Sequence, residues 1–544
     1  NMFSGEATET LARDRTKVNQ PLTLLEIDGA QRDLYGSTET GELLWWSVAN
    51  GQLNPPKVAS GNSAEITAME ILLGNKSIIV GQADGSVSQW SQIRRDGGDF
   101  QLVRIREFPR HDAPIGLLRT SPRGKSFLVQ DNGGAITLYN ATSERTLWAA
   151  ASPLADANAL YFSPKEDGAF LASDGGLAAL EIHNPHPEVS LKTLFGKVWY
   201  EGAEEPEFTW QSTGATDAFE SKLSLVPLLV GTLKATVSAC LLVCSRRGPL
   251  YSLLLPIPLA VFVPMYASQF MHPRLLRVVK PVVEIMAALP SVVLGFLAGL
   301  WLAPRLEKFF PALILLLLGL PIFMIGAGLL WTALPKLVRK HAPVGAELVF
   351  FFVVLAISCW LCIALSRPVE IAIFCGSFQA WLSDSFGVPY DQRNAVVIGL
   401  AMGFAVIPII FAISEDAFSN VPKSLIAGSL ALGANRWETV TRVVLPSASP
   451  GIFSAIMVGF GRAVGETMIV LMATGNTPIM DWNPFNGFRT LSANIAVEIP
   501  EAPQYGTLYR VLFLAALLLF IVTFVVNTVA ELVRIRLRKK YQEM

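Results

Sequence analysis

The chain has 544 residues, 51% of them apolar, and its 43 Lys and Arg against 44 Asp and Glu leave a formal net charge of -1. No basic patch with interleaved aromatics occurs, so nucleic acid is excluded as a partner. The apolar residues are unevenly spread: 1–222 read as soluble and 223–533 carry nearly all the long apolar runs, so two regions with different solvents are expected.

The first region repeats itself. GNKSIIVGQADGSVSQW (74–90), GKSFLVQDNGGAITLYN (124–140) and DGAFLASDGGLAALEI (167–182) each read as a strand, a tight Asp/Asn-Gly turn and a second strand. A weaker copy surrounds Gly41 to Trp46, and the turn glycines Gly41, Gly85, Gly133 and Gly175 lie 44, 48 and 42 residues apart. That spacing is close to the ~40 to 50 residues of a propeller blade. Ser121-Pro122 and Ser163-Pro164 precede the last two copies in the same way. The pattern predicts an all-β, WD40-like propeller domain over 1–190, with unrelated hairpins in a β-sandwich as the alternative.

Four copies are the lower limit for closing a propeller, and the chain opens at Asn1 with no signal peptide or anchor ahead of it, so a missing N-terminal piece is expected. The stretch 183–222 is rich in Pro, Glu and Thr, carries Trp199 and Trp210, and predicts a linker over 191–222.

Apolar segments long enough for a hydrocarbon core of roughly 30 Å occur at 284–303, 311–334, 346–366, 394–414, 450–474 and 509–532. They predict an all-α polytopic domain over 223–533, followed by a basic tail, 534–544. Arg534, Arg536, Arg538, Lys539 and Lys540 directly follow the last span and place the C-terminus in the cytoplasm. Counting back, the 424–446 loop, Lys336, Arg339 and Lys340, and Arg274, Arg277 and Lys280 fall on the same side. The stretch 223–270 allows one crossing or two. Two would put the repeat domain in the cytoplasm and export Arg246 and Arg247, so one crossing and a periplasmic repeat domain are expected.

All five cysteines (Cys240, Cys244, Cys359, Cys362, Cys375) lie in the membrane half. Cys359 and Cys362 form a CxxC inside an apolar span and read as small buried hydrophobes rather than a redox or metal pair. No GxxxxGK[ST] motif is present, so ATP chemistry belongs to another subunit and no cofactor or enzymatic step is expected here.

Ser424 to Pro446, SLIAGSLALGANRWETVTRVVLP, is polar and helix-compatible between two apolar segments. Ala427 to Leu432 predict a short helix, Gly433 a break, Asn435 the cap of a second helix through Val444, and Pro446 its end. Such a helix-turn-helix, held out of the lipid, is offered to a soluble partner. Ser429, Leu432, Gly433, Ala434, Arg436, Trp437, Leu445 and Pro446 are its candidate contacts.

In the 450–474 span, Arg462 and Glu466 sit near the middle. Charges at that depth face the protein interior or a water-filled path. Their i, i+4 spacing puts both on one helix face, where they can pair; equally, the planar fork of Arg462 can bind two oxygens of an oxyanion, with the Thr467 hydroxyl nearby. Charge placement leaves both readings open. Lys234, in the first core segment, can draw in an anion or snorkel to the interface.

The 424–446 loop resembles the coupling loop of ABC-importer permeases, marked by an EAA run, a Gly a few residues on and a closing Leu-Pro. Gly433, Ala434, Leu445 and Pro446 match, while Ala427 and Gly428 replace the Glu and the next Ala. GRAVGETMIVLMATGN (461–476), VEIMAALPSVVLGFLAGLWLAP (283–304) and GTLKAT (231–236) extend the resemblance over 223–533. The family is the permease of the phosphate-specific ABC importer, the PstC type, in its long form with a large inserted soluble domain. CSRRGPLYSLLL, where the family runs on as one helix, is a departure.

The resemblance implies a type I ABC-importer fold in the bacterial inner membrane, moving inorganic phosphate into the cytoplasm by alternating access. It also implies as partners an ATP-binding cassette ATPase dimer, a second homologous permease, a periplasmic phosphate-binding protein and membrane lipid. Arg462 and Glu466 then belong to the translocation path, with Thr467 and Lys234 beside them. A permease for molybdate, sulfate or phosphonate, and a membrane-anchored propeller sensor or scaffold, are the alternatives.

Overall fold

Strands with apolar residues at consecutive positions must be covered on both faces, and the repeats supply that cover to one another. The computed structural model describes residues 21–49, 52–59, 64–95, 99–214, 219–240, 256–333 and 346–542. Cys244, Arg246, Arg247, Lys336, Arg339 and Lys340 lie outside the described residues. The chain divides into two units, residues 1–226 with 503–511, and residues 227–502 with 512–544.

The first unit is a propeller-like array of four antiparallel blades. Blade 1 spans Leu22–Ile27 to Lys57–Ala59, blade 2 Ile66–Ile71 to Phe100–Phe108, blade 3 Ile115–Thr120 to Arg145–Ala151, and the three-stranded blade 4 Ala159–Phe162 to Gly176–Glu181. In blade 2, Ile78 and Val80 pack with Tyr35 and Trp45 of blade 1, whereas Ile79 between them packs with Ile115 and Phe127 of blade 3. Phe127 and Val129 likewise face blade 2 while Leu128 faces Leu160 and Leu171 of blade 4. The period of two therefore sorts side chains between neighbouring blades rather than between core and water.

The turn glycines hold the spacing. Gly85 has φ +83°, and a Cβ there would lie 2.2 Å from the His111 carbonyl oxygen, so both backbone and space demand glycine. In blade 3 the positive φ falls on Gly134, one residue beyond the expected Gly133. Ser121 and Ser163 close the first turns of blades 3 and 4: Ser121 Oγ accepts from Arg123 N (3.1 Å) and Ser163 Oγ from Asp167 N (3.2 Å).

The segment expected to be a linker is instead folded onto blades 2 and 3. Ser190 caps the helix α1 (Leu191–Phe195) in a capping box with Thr193, and Trp210–Gln211 pairs with Lys222–Leu223. The Glu201 carboxylate accepts from Ser77 Oγ (2.5 Å) and Gln89 Nε2 (3.2 Å) and pairs with Lys125 Nζ (2.7 Å). Thr142 donates to Glu220 and Ser143 to the Pro187 carbonyl. Burial pushes the Glu220 carboxyl up to about 7, against the Thr142 hydrogen bond and the Lys125 charge, which favour its ionised form; Glu201 and Glu188 push it further up.

The second unit is helical: α2 (Val226–Cys240), α3 (Pro256–Gln269), α4 (Pro273–Ala287), α5 (Ser291–Leu297), α6 (Ala303–Ala333), α7 (Ala346–Ile373), α8 (Phe378–Phe386), α9 (Ala395–Ser419), α10 (Lys423–Ala431), α11 (Arg436–Thr439), α12 (Leu445–Val464), α13 (Met468–Ala473), α14 (Leu491–Glu498) and α15 (Thr507–Gln542). Among the described residues five stretches are long and apolar enough to cross a membrane: Ser291–Trp331, Val349–Phe386, Ala395–Ser419, Arg436–Val464 and Thr507–Arg536.

Two expected boundaries move. The 284–303 span begins at Ser291 instead, because α4 is a separate amphipathic helix whose Lys280 pairs with Glu415 (2.7 Å) and Asp416 (3.4 Å) of α9. The turn expected between 303 and 311 narrows to a break at Phe309 (φ -119°), two residues before Pro311, so the two expected spans are two helices that meet at that kink. Gln379 Nε2 donates to the Glu307 carbonyl (2.8 Å) and so ties α8 to the kink. Cys362 is buried and Cys359 partly so, both as free thiols inside α7.

Candidate functional site

Two places in the helical unit gather the residues singled out above. The first is the turn between α10 and α11. Gly433 takes φ +91°, Gly433 N donates to the Leu430 carbonyl (3.0 Å) and Ala434 N to the Ser429 carbonyl (3.3 Å), the paired bonds of a Schellman stop. Asn435 then starts α11 in a capping box: Glu438 N donates to Asn435 Oδ1 (2.8 Å) and Asn435 N to the Glu438 carboxylate (2.9 Å). Ser429 Oγ and Thr439 Oγ1, 3.0 Å apart, staple the two helices.

The first helix is longer than expected, Lys423–Ala431, and none of its residues is buried. Leu432 is 91% exposed and Trp437 57% exposed, with Arg436 beside them, so the turn presents apolar groups to an outside surface. Pro446 does not end the second helix. Val440–Val444 form a π turn in which Leu445 N reaches the Val440 carbonyl, and the wider turn admits a proline in the first turn of α12. The backbone from Arg436 to Val464 is therefore one continuous helical rod, joining the exposed turn to the second place.

That second place is the far end of α12. Gly459 lets α12 lie against α9: a Cβ there would come 2.6 Å from Ile410 Cγ1 and 2.8 Å from Val406 Cγ1. The helix stops at Val464 with Gly465 as its cap, so Arg462 and Glu466 do not share one helix face. Glu466 turns to α13 instead, its Oε1 accepting from Met468 N (3.2 Å) and Ile469 N (3.4 Å). The Thr467 hydroxyl donates to the Gly465 carbonyl (3.3 Å). Among the described residues Arg462 makes no hydrogen bond or ion pair, and its side chain is exposed.

Arg462, Glu466 and Thr467 line one open cleft of about 440 Å³ with Ser291, Gly461, Gly465 and Met468. Ser291 was not singled out from sequence. Its helix is brought in by two glycines one turn apart: a Cβ on Gly295 would lie 2.8 Å from the Met468 carbonyl oxygen, and one on Gly299 2.5 Å from that of Met472. The cleft thus offers a guanidinium with free donors, a carboxylate fixed by main-chain N–H groups, and hydroxyls. That set can hold an oxyanion and supplies no covalent chemistry.

Lys234 is not part of this cleft. Its side chain is 2% exposed, pairs with Asp481 (2.8 Å), donates to the Asn486 carbonyl (3.4 Å) and lies over the Phe488 ring (5.5 Å). Asn486 also donates to Asp481. The lysine neither snorkels nor opens onto the Arg462 cleft, and it fastens α2 to the 481–488 segment.

Residues 257–539, just over half of the chain, match the family model described as "Binding-protein-dependent transport system inner membrane component". The chain belongs to that family. The family is one of transporter permeases rather than enzymes, in keeping with the donor set of the cleft. A probable ABC transporter permease protein, YqgH of Bacillus subtilis, is 34% identical over 125 residues, 23% of this chain and 40% of that protein. The phosphate transport system permease protein PstC of Mycobacterium leprae is 27% identical over 282 residues, 52% of this chain and 69% of its own length. The phosphate transport system permease protein PstC 1 of Mycobacterium tuberculosis is 27% identical over 336 residues, 60% of this chain and 78% of its own. The expected PstC-type resemblance is thus borne out for this permease-family chain.

Proposed function

We propose that this chain is a permease subunit that passes inorganic phosphate into the cytoplasm by alternating access. The observation that carries the reading is Arg462, a guanidinium that makes no hydrogen bond or ion pair among the described residues, exposed in a cleft at the end of a rod whose other end is the 432–437 turn. The names of the PstC relatives supply the anion, because one arginine does not separate tetrahedral oxyanions by itself. Leu432, Arg436 and Trp437 are the groups that dock on an ATP-binding cassette ATPase. Closing of the ATPase dimer would push this turn, and the rod would carry the movement to Arg462.

The open side of the Arg462 cleft is where a second, homologous permease completes the path, with Glu466 and Thr467 on the wall. A periplasmic binding protein delivers phosphate, and the propeller-like unit is expected on the periplasmic side, because the basic residues in the last turns of α15 favour a cytoplasmic C-terminus. Lys234 supports the path from behind by holding the 481–488 segment rather than by touching the anion.

The test is radiolabelled phosphate uptake in cells carrying the complete complex, with sulfate and molybdate as competitors. Uptake that resists both competitors is expected. Uptake suppressed by either would make this an importer of that oxyanion, and no uptake from a well-assembled complex would favour a sensor or scaffold.

A further inference from the structure

A second polar feature adjoins the cleft. On α15, Thr523, Asn527 and Glu531 recur every four residues within an apolar helix, and together with Thr528 they line a groove of about 410 Å³. Polar groups on a membrane-crossing face meet protein or water rather than lipid. Most of these groups are already satisfied within the helix. The Thr523 hydroxyl donates to the Leu519 (3.0 Å) and Phe520 (2.8 Å) carbonyls, Thr528 to the Phe524 carbonyl (2.8 Å), and Glu531 pairs with Arg534 (2.6 Å).

Asn527 differs from them: among the described residues its carboxamide makes no hydrogen bond. It lies against Gly461, where a Cβ would come 3.0 Å from Asn527 Oδ1. Gly461 lines the Arg462 cleft, so the absence of a side chain there sets the carboxamide against the cleft wall. From this we infer that Asn527 is a further substrate-contacting residue: a half-turn of its unbonded carboxamide about Cβ–Cγ exchanges Oδ1, which now faces Gly461, for Nδ2, whose N–H groups then donate to the oxyanion as it leaves Arg462. The inference rests on the phosphate-permease reading above.

The chemistry suits a relay. An anion held by successive cationic residues would bind too tightly to move on, and a passage needs sites strong enough to enter and weak enough to leave. A neutral amide supplies two N–H donors and no net charge, and with the threonine hydroxyls beside it satisfied it is, among the described residues of the groove, a donor still to be used.

The experiment uses the complete complex in proteoliposomes, with binding protein outside, ATP inside and labelled phosphate as the probe. Asn527→Leu keeps the size and removes the donors; Asn527→Asp keeps the size and adds a negative charge. Asn527→Leu is expected to lower uptake about tenfold, and Asn527→Asp to lower it about tenfold further, with subunit stoichiometry unchanged. Wild-type uptake by either variant, equal losses in both, or loss of co-purifying subunits would overturn the inference, the last by making Asn527 a contact that holds the complex together. Arg462→Gln is run alongside. If it abolishes uptake while Asn527→Leu does not, only this inference fails; if Arg462→Gln transports like wild type, the phosphate-path reading falls and this inference with it.

Discussion

Glu201 shows what a single side chain does in the first unit. It satisfies Ser77, Gln89 and Lys125 together, and Lys125 is nearly fully buried. Glu201→Ala leaves that ammonium without its carboxylate and is expected to cost about 3–5 kcal/mol, read as lower urea resistance of the purified chain. Glu220 gives a pH dependence of known sign. Its folded value of about 7 lies above the ordinary 4.5, so the folded form binds the proton more tightly; stability is full below about pH 4 and is lost as pH rises to 7. The loss is on the order of 3 kcal/mol. Glu220→Gln is expected to remove the slope between pH 5 and 7 and to stabilise the unit at pH 8, followed by protease resistance of the 183–225 segment. An unchanged slope would assign it to other groups.

Among the elements, the 432–437 turn depends on its stop and start signals. Gly433→Val places a branched side chain at φ +91° and is expected to cost about 1–2 kcal/mol locally. The measurement is ATPase stimulation by the membrane complex, which should fall while the amount of α12-containing complex stays level. Gly459→Val instead drives a branched side chain into Ile410 and Val406, and is expected to reduce the folded permease recovered from membranes. The turn was legible in sequence because its signals are local: Gly433, Asn435 and Glu438 form the stop and the capping box by themselves. The fate of Pro446 was not, since a proline reads as a stop unless a π turn precedes it. The helix end at Gly465 was hidden for a related reason. An apolar run with i, i+4 charges looks continuous, while the carboxylate of Glu466 is in fact spent on the next helix.

For the whole molecule, the blade repeat was visible because each Asp-Gly or Asn-Gly hairpin carries its own turn chemistry at a steady period. The fold of 183–225 was not visible, because its partners, Ser77, Gln89, Lys125 and Thr142, lie far off in sequence. Arg462 stood out as a charge in an apolar run, whereas Ser291 enters the cleft through the packing of two glycines that sequence order alone does not pair. In the proposed path the 432–437 turn receives force and Arg462 receives the anion. Its most direct test is phosphate uptake by the complex carrying Arg462→Gln, at membrane levels matched to wild type. The account expects uptake to be abolished with the complex still assembled; wild-type uptake, or loss of assembly in place of loss of transport, would contradict it.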